Sequence, residues 1–366
     1  MAPRLLIAGG GTGGHAVPAL AIAEAVREVN GDSEILFIGT ERGVESRIVP
    51  KAGFELEQIS VISLSRTLNA SLIRFPFVLA KGFIESMMIV RRFRPDLTLC
   101  TGGYVSGPVG LASALQGVPL VVHDSNVLPG ITLRILSRAA SLVLVGFEQA
   151  RRKMGGRFQK VVGNPTRLVK RNVSVEDARI LFGLAPDRTT LLVVGGSQGA
   201  RSINHAVRDA LPALTEAGIQ VLWQTGRLDS ESMAEAAEPY GRQVAVMPFI
   251  DEMTSAYRAA DLAVTRAGAM TLTELNLYAI PGILVPLATS SENHQEVNAR
   301  SMEREGWARM VLQRELDGAI LQSTVLGLLE DPNGLAAMAK RSGERDAGDA
   351  AGRIVKELTD RKLLRL

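Results

Sequence analysis

Twice along this chain a short apolar run breaks directly into clustered glycines and then into a helical pattern. The first run, Leu5-Leu6-Ile7-Ala8, meets Gly9-Gly10-Gly11-Thr12-Gly13-Gly14-His15, with a helix expected from near Pro18. The second, Leu191–Val194, meets Gly195-Gly196-Ser197-Gln198-Gly199-Ala200-Arg201. Strand, tight glycine turn and helix open a parallel βαβ unit, and backbone N–H groups at such a helix start approach anions closely. Two openings within 366 residues predict an α/β chain of two Rossmann-like, doubly wound units with parallel sheets.

The remaining pattern agrees. Strand-like runs at 4–8, 34–38, 97–100, 120–122 and 142–145 alternate with amphipathic stretches such as 19–29 and 107–116. A polar, basic stretch after Val161-Val162-Gly163-Asn164-Pro165 reads as a linker, and the alternation restarts at 189–194, 219–224, 243–246, 262–265 and 282–285. The expected units are therefore 1–166 and 167–347. No fixed-period repeat relates the halves.

Composition enters by exclusion. With 46% hydrophobic and 22% charged residues the chain is a globular protein. Cys100 is the only cysteine, which rules out an intramolecular disulfide or a cysteine zinc cage and suits a reducing compartment. It is expected to be a small buried residue ending a strand. No run approaches the roughly 18 apolar residues of a membrane span, and the start of the chain is too briefly apolar for a signal peptide. A net charge of +3 gives no argument for nucleic acid. No histidine or acid spacing suggests a metal.

The first loop satisfies G-x-G-x-x-G through Gly9, Gly11 and Gly14, but the acid that dinucleotide binding needs at the end of the second strand arrives late, at Glu41. A ligand-free βα turn remains open for it. In the second loop Ser197 offers a hydroxyl, and the absence of Gly-Lys-Ser/Thr excludes a P-loop. His15, His123 and His294 lie beside glycines or polar residues at strand ends, where ligands bind, although His123 suits a structural hydrogen bond equally well. Glu274 either accepts ribose hydroxyls or complements a helix dipole.

Residues 65–95 carry Arg66, Arg74, Lys81, Arg91, Arg92 and Arg94 against the single acid Glu85. Leu72, Phe75, Leu79 and Phe83 share a helical face, with Phe77, Met87 and Met88 close by. That face either packs on the sheet or meets anionic lipid; Phe75, Phe77, Leu79 and Phe83 with Arg74 and Lys81 are the residues expected at such a surface.

Ordered motifs across nearly the whole chain resemble the MurG family of bacterial N-acetylglucosaminyl transferases of peptidoglycan synthesis, in glycosyltransferase family 28. They are GGGTGGH at Gly9–His15, GGYVSGP at Gly102–Pro108, VVGNPTR at Val161–Arg167 and VVGGSQGAR at Val193–Arg201. FIDEM at Phe249–Met253, RAGAMTLTE at Arg266–Glu274 and HQEVNA at His294–Ala299 follow. The resemblance implies a GT-B fold with a central cleft, UDP-N-acetylglucosamine as donor, the undecaprenyl-linked lipid I as acceptor and lipid II as product. It also implies a peripheral place on the cytoplasmic face of the membrane, among other cell-wall synthesis proteins, and no cofactor.

Carried over by position, Ser197, Gln198 and the Gly196–Gly199 backbone would hold the diphosphate, paired by Arg167. Glu274 would bind ribose and Ile250 would lie against uracil. Asn126, His294 and Gln295 would contact the sugar, with Thr12, Gly13 and Gly14 also on the donor side. His15, Tyr104 and Ser106 would face the acceptor. The C-terminal segment 348–366 would complete the first domain. Two departures stand out: the family usually has His-Glu-Gln-Asn where this chain has His123-Asp124-Ser125-Asn126, and often Ser-Gly-Ala at Ala267-Gly268-Ala269.

The expected chemistry is inverting displacement, with His15 as general base and Asp124 as the alternative. Backbone N–H groups, a helix dipole and Arg167 would meet the leaving-group charge without a metal. Rival readings are a diacylglycerol glycosyltransferase, a UDP-sugar epimerase, a non-catalytic UDP-sugar-binding subunit and an oxidoreductase.

Overall fold

Successive residues of a strand face opposite sides of a sheet, and in this chain both sides are apolar, as a sheet covered by helices on each face requires. The computed structural model describes residues 2–61, 71–168, 173–196, 198–345 and 348–365, the side chains of 71–75 and 291 excepted. It divides the chain into two compact units, Met1–Arg167 with Asp349–Leu366, and Leu168–Gly348.

The first unit holds β1 (Arg4–Gly9), β2 (Glu34–Gly39), β3 (Glu55–Gln58), β4 (Leu97–Gly102), β5 (Leu120–Asp124), β6 (Leu142–Val145) and β7 (Gln159–Val161). They form one parallel sheet in the order β3-β2-β1-β4-β5-β6-β7. Leu5, Ile7, Leu97, Leu99, Val121 and Leu144 point to one side, against the helices Gly13–Val29 and Ala350–Asp360. Leu6, Ala8, Ile38, Val122 and Val143 point to the other, against Ser71–Phe93 and Ser106–Leu115. Cys100 lies in that second layer, where burial pushes its thiol up to about 12, so it is an inert core residue.

The second unit repeats the scheme with β8 (Thr190–Val194), β9 (Gln220–Gln224), β10 (Val244–Met247), β11 (Leu262–Thr265), β12 (Gly282–Leu284) and β13 (Ala308–Met310). Their order is β10-β9-β8-β11-β12-β13, again parallel. In each sheet the order reverses beside the first strand, between β1 and β4 and between β8 and β11. Loops leaving the carboxyl ends of neighbouring strands diverge there, which opens a crevice. Both glycine loops leave from these points.

The helix after the first loop starts at Gly13, not near Pro18. The His15 and Ala16 amides already donate to the Thr12 carbonyl at 3.2 and 3.1 Å, so Pro18 falls inside the helix and removes only one later bond. His15 therefore stands in the first helical turn. The strands β3, β7 and β13, absent from the expectation, are short and lie at or beside sheet edges. Asp349 caps the last helix by accepting from the Gly352 amide at 2.9 Å. Glu357 of that helix pairs with Lys160, and Arg353 donates to the Val162 carbonyl at 3.0 Å.

Candidate active site

At the first switch point β1 delivers the Gly9–His15 loop and β4 delivers Gly102–Ser106. The His15 imidazole lies with Nδ1 3.2 Å from the Gly10 carbonyl and 3.3 Å from Thr12 Oγ1. A carbonyl only accepts, so Nδ1 carries the hydrogen and the lone pair of the neutral ring sits on Nε2. Gly102 and Gly103 have φ of +113° and +81° and press against this arrangement. A Cβ on Gly102 would stand 2.6 Å from His15 Cδ2, and one on Gly103 would strike the Gly10 carbonyl. Gly102 at the end of β4 and Gly103 just after it thus make the room in which His15 is held.

Around this centre the expected residues separate. Thr12 is exposed and Tyr104 is 49% exposed, so both side chains are open to solvent beside His15's loop. Gly13 and Gly14 form the first turn of the helix behind His15. Ser106 is fully buried; its hydroxyl accepts from the Gly102 amide at 3.0 Å and donates to backbone carbonyls of Ala8 or Gly102 at 2.9 Å. It therefore anchors the β4 turn.

Asp124 is buried as well. Its carboxylate accepts from the Asn126 and Gly130 amides, both at 2.8 Å, and closes the loop after β5. A carboxylate so engaged clamps the loop after β5. The clamp holds Asn126 half-buried at the rim. His123 donates from Nε2 to the Gly163 carbonyl at 3.0 Å, and burial pushes its pKa down despite that bond and the nearby Asp124 charge. Its role is structural. Arg167 belongs to the first unit, where it forks onto Glu24 at 2.8 and 3.0 Å.

Sequence reasoning missed Glu45. It is fully buried, and its carboxylate accepts from the Gly11 amide at 2.8 Å and from the Thr40 amide and hydroxyl at 2.9 and 2.8 Å. Glu45 lies further beyond β2 than Glu41 and turns inward onto the glycine loop. Its setting in Gly39-Thr40-Glu41-Arg42-Gly43-Val44-Glu45, an acid among glycines at a strand end, was the available signal.

In the second unit, β8 runs into the loop that carries Gly196, Gln198 and Gly199, and the Gly199 amide closes the turn onto the Gly196 carbonyl at 2.9 Å. Ser197 lies outside the described residues. Gln224, at the end of β9, is a second residue the sequence did not single out. Its amide donates to the Gly196 carbonyl at 3.1 Å and accepts from the Ile250 amide at 2.9 Å, tying the glycine loop to the segment that carries Ile250. The Ile250 side chain is itself buried, so that segment offers its backbone and the half-exposed Phe249.

Glu274 sits in the helix Ala269–Tyr278 after β11 and accepts from the hydroxyl of fully buried Tyr257 at 2.7 Å. Burial pushes Glu274 up to about 7, against the opposing pull of that bond. Tyr257 is held well above its ordinary value, by burial first and then by the carboxylate. Arg266, at the turn between, is braced by the Gln313 side chain at 2.8 Å and the Val285 carbonyl at 3.2 Å.

His294 opens the helix His294–Arg304 directly after Glu292 and Asn293, two non-glycine residues with φ of +48° and +57°. Such a pair marks a constrained turn of the kind that collects at ligand sites. Gln295 accepts from the Leu287 amide at 2.9 Å, so its side chain shapes the same turn. Among the described residues no three of His, Cys, Asp and Glu come together as metal ligands.

The chain matches known proteins along nearly its whole length. Residues 5–145 match the glycosyltransferase family 28 N-terminal domain, and residues 190–354 its C-terminal domain. A transferase of Desulfitobacterium hafniense is 42% identical over 364 residues, covering 98% of this chain and 99% of the relative. Its full name is UDP-N-acetylglucosamine–N-acetylmuramyl-(pentapeptide) pyrophosphoryl-undecaprenol N-acetylglucosamine transferase. This chain belongs to the MurG family of glycosyltransferase family 28. The crystal structure of Acinetobacter baumannii MurG superposes with a TM-score of 0.81 at 27% identity, covering 98% of this chain and 100% of that one. The family 28 architecture is thus GT-B, two parallel-sheet α/β domains. A UDP-N-acetylglucosamine 2-epimerase shares it at a TM-score of 0.66 and 14% identity, over 99% and 97% of the two chains, a likeness of fold alone.

Proposed function

We propose that this chain transfers N-acetylglucosamine from UDP-N-acetylglucosamine to the C4 hydroxyl of the N-acetylmuramic acid of lipid I, giving lipid II. The observation that carries the reading is the full-length 42% identity to a transferase named for that reaction. The second unit takes the donor: the Gly196–Gly199 loop and Ser197 face the diphosphate, the Phe249–Ile250 segment faces uracil and Glu274 accepts from the ribose hydroxyls. His294 and Gln295 contact the sugar. The first unit takes the acceptor at Tyr104 and His15.

The acceptor oxygen attacks the anomeric carbon as the bond to UDP breaks on the opposite face, and its proton passes to His15 Nε2. Support for that last step is the Nδ1 contact with the Gly10 carbonyl, which puts the lone pair of the neutral ring on Nε2. The expected cost of His15→Ala is about 100- to 10,000-fold in kcat with donor KM nearly unchanged. Steady-state transfer to lipid I, with diacylglycerol as parallel acceptor, checks this. Wild-type turnover by the variant sinks the assignment of the base, and labelled diacylglycerol moves the chain to a different acceptor.

Attachment to the cytoplasmic membrane surface is part of the same proposal. Among the described residues no helix is long and apolar enough to cross a membrane. The helix Ser71–Phe93 instead leaves Phe77, Ile84 and Met88 exposed, at 75%, 57% and 59%, with Leu79, Lys81, Arg91 and Arg92 also at the surface. Phe83 turns into the core beside Met87, and the side chains of Arg74 and Phe75, like all of Arg66, lie outside the described residues. Apolar side chains flanked by cations suit an anionic lipid surface carrying the acceptor.

A further inference from the structure

The most unusual polar group of the first unit is Glu45. A fully buried carboxylate normally answers a cation, yet the partners of Glu45 among the described residues are neutral donors: the Gly11 amide and the Thr40 amide and hydroxyl. The surrounding backbone is shaped to receive it, since a Cβ at Gly10, Gly39 or Gly43 would collide with the Glu45 side chain. An internal carboxylate thus occupies the backbone N–H group that a phosphate would approach in a dinucleotide-binding loop.

The Gly11 amide and the Gly10 carbonyl belong to one peptide plane, which is trans. In a trans peptide the N–H and C=O point in opposite directions. Glu45 Oε2 holds the N–H end at 2.8 Å, and His15 Nδ1 meets the C=O end at 3.2 Å. We propose that Glu45 is a positioning residue for His15, fixing and polarising the Gly10–Gly11 peptide so that the imidazole keeps its hydrogen on Nδ1 and its lone pair on Nε2. The peptide does between carboxylate and imidazole what a direct carboxylate contact does in a catalytic triad. The catalytic side of this inference rests on the reading of His15 as the base.

The test is nitrogen-15 NMR of histidine-labelled full chain, with His15 assigned by the signal lost in His15→Gln. The wild type is expected to show neutral His15 protonated at Nδ1. Glu45→Gln presents only one acceptor atom where the carboxylate had two, and it is expected to shift the ring toward the Nε2–H form. The same variant should lower kcat by about 10- to 100-fold with donor KM unchanged, and Glu45→Asp should recover part of the loss. Wild-type His15 protonated at Nε2, or an unchanged tautomer in folded Glu45→Gln, overturns the proposal. Where Glu45→Gln fails to fold, Glu45→Asp carries the same tautomer comparison, and an unchanged tautomer with unchanged kcat there overturns the proposal. Full activity of His15→Ala would remove the base reading while leaving the tautomer result standing, so the two failures are distinguishable.

Discussion

Glu274 is a carboxylic acid that titrates near neutrality, and two opposite pH slopes follow from it. Its ordinary value of 4.5 is raised to about 7 by burial. Between those values the folded chain holds a proton that the unfolded chain has released. The stabilisation attached to this group is therefore complete below about 4.5 and is lost as pH rises through about 7, amounting to about 3 kcal/mol. Ribose hydroxyls, by contrast, donate to the ionised form. Donor affinity is expected to weaken below about pH 7, approaching tenfold per pH unit. Glu274→Gln should flatten that dependence, lower donor affinity about 10- to 100-fold, and gain stability relative to wild type as pH rises. Donor titrations and denaturant melts over the same pH series check both slopes; a pH-independent wild-type donor affinity would remove Glu274 from the ribose.

At this scale legibility followed the reach of the contacts. His15 and Glu274 could be singled out because each stands on a strand–turn–helix junction written in consecutive residues. Glu45 acts on Gly11 across 34 positions and Gln224 on Gly196 across 28, so no local pattern announces either. Ser106 and Asp124 stand in loops that their residue types mark as polar, but their hydrogen bonds to buried backbone groups could not be read from the sequence.

Among the elements, the helix Ser71–Phe93 shows what periodicity leaves open. The 3.6-residue pattern found an apolar face, but the helix has two: Phe83 and Met87 belong to the core, whereas Phe77, Ile84 and Met88 face outward with Lys81 between them. Which stripe meets the sheet depends on the sheet. Replacing Phe77, Ile84 and Met88 together by serine is expected to cost more than tenfold in binding to phosphatidylglycerol vesicles, with chain stability changed little. Vesicle sedimentation measures the first and thermal melting the second, and undiminished sedimentation would refute a lipid-facing role. The inner strands were legible as Val/Leu/Ile runs; β3, β7 and β13 carry charged residues and only three or four positions, too little pattern to find.

For the whole molecule, the decisive feature is that the first unit is discontinuous. Ile354, Val355, Leu358 and Leu364 are buried in the core built by β1, β4 and the helix Gly13–Val29. Burial of four such side chains stabilises by about 6–12 kcal/mol, comparable with the whole stability of a typical domain. Deleting 349–366 is expected to unfold the first unit and to leave the second, which lacks no element, with its donor affinity. Calorimetry and donor binding on the deleted chain check this, and an unaltered two-unit melt would contradict it.

That discontinuity also imposes an order of manufacture. A ribosome releases residues 2–167 long before the helix that closes their core, because all of Leu168–Gly348 is made in between. At about 5–20 residues per second the delay is on the order of ten to forty seconds. During it the nascent first unit exposes the groove against the helix Gly13–Val29 that Ile354 and Leu358 later fill, while the second unit completes itself. The domain written first is thus the one finished last, and its unfilled groove is where a chaperone would be needed.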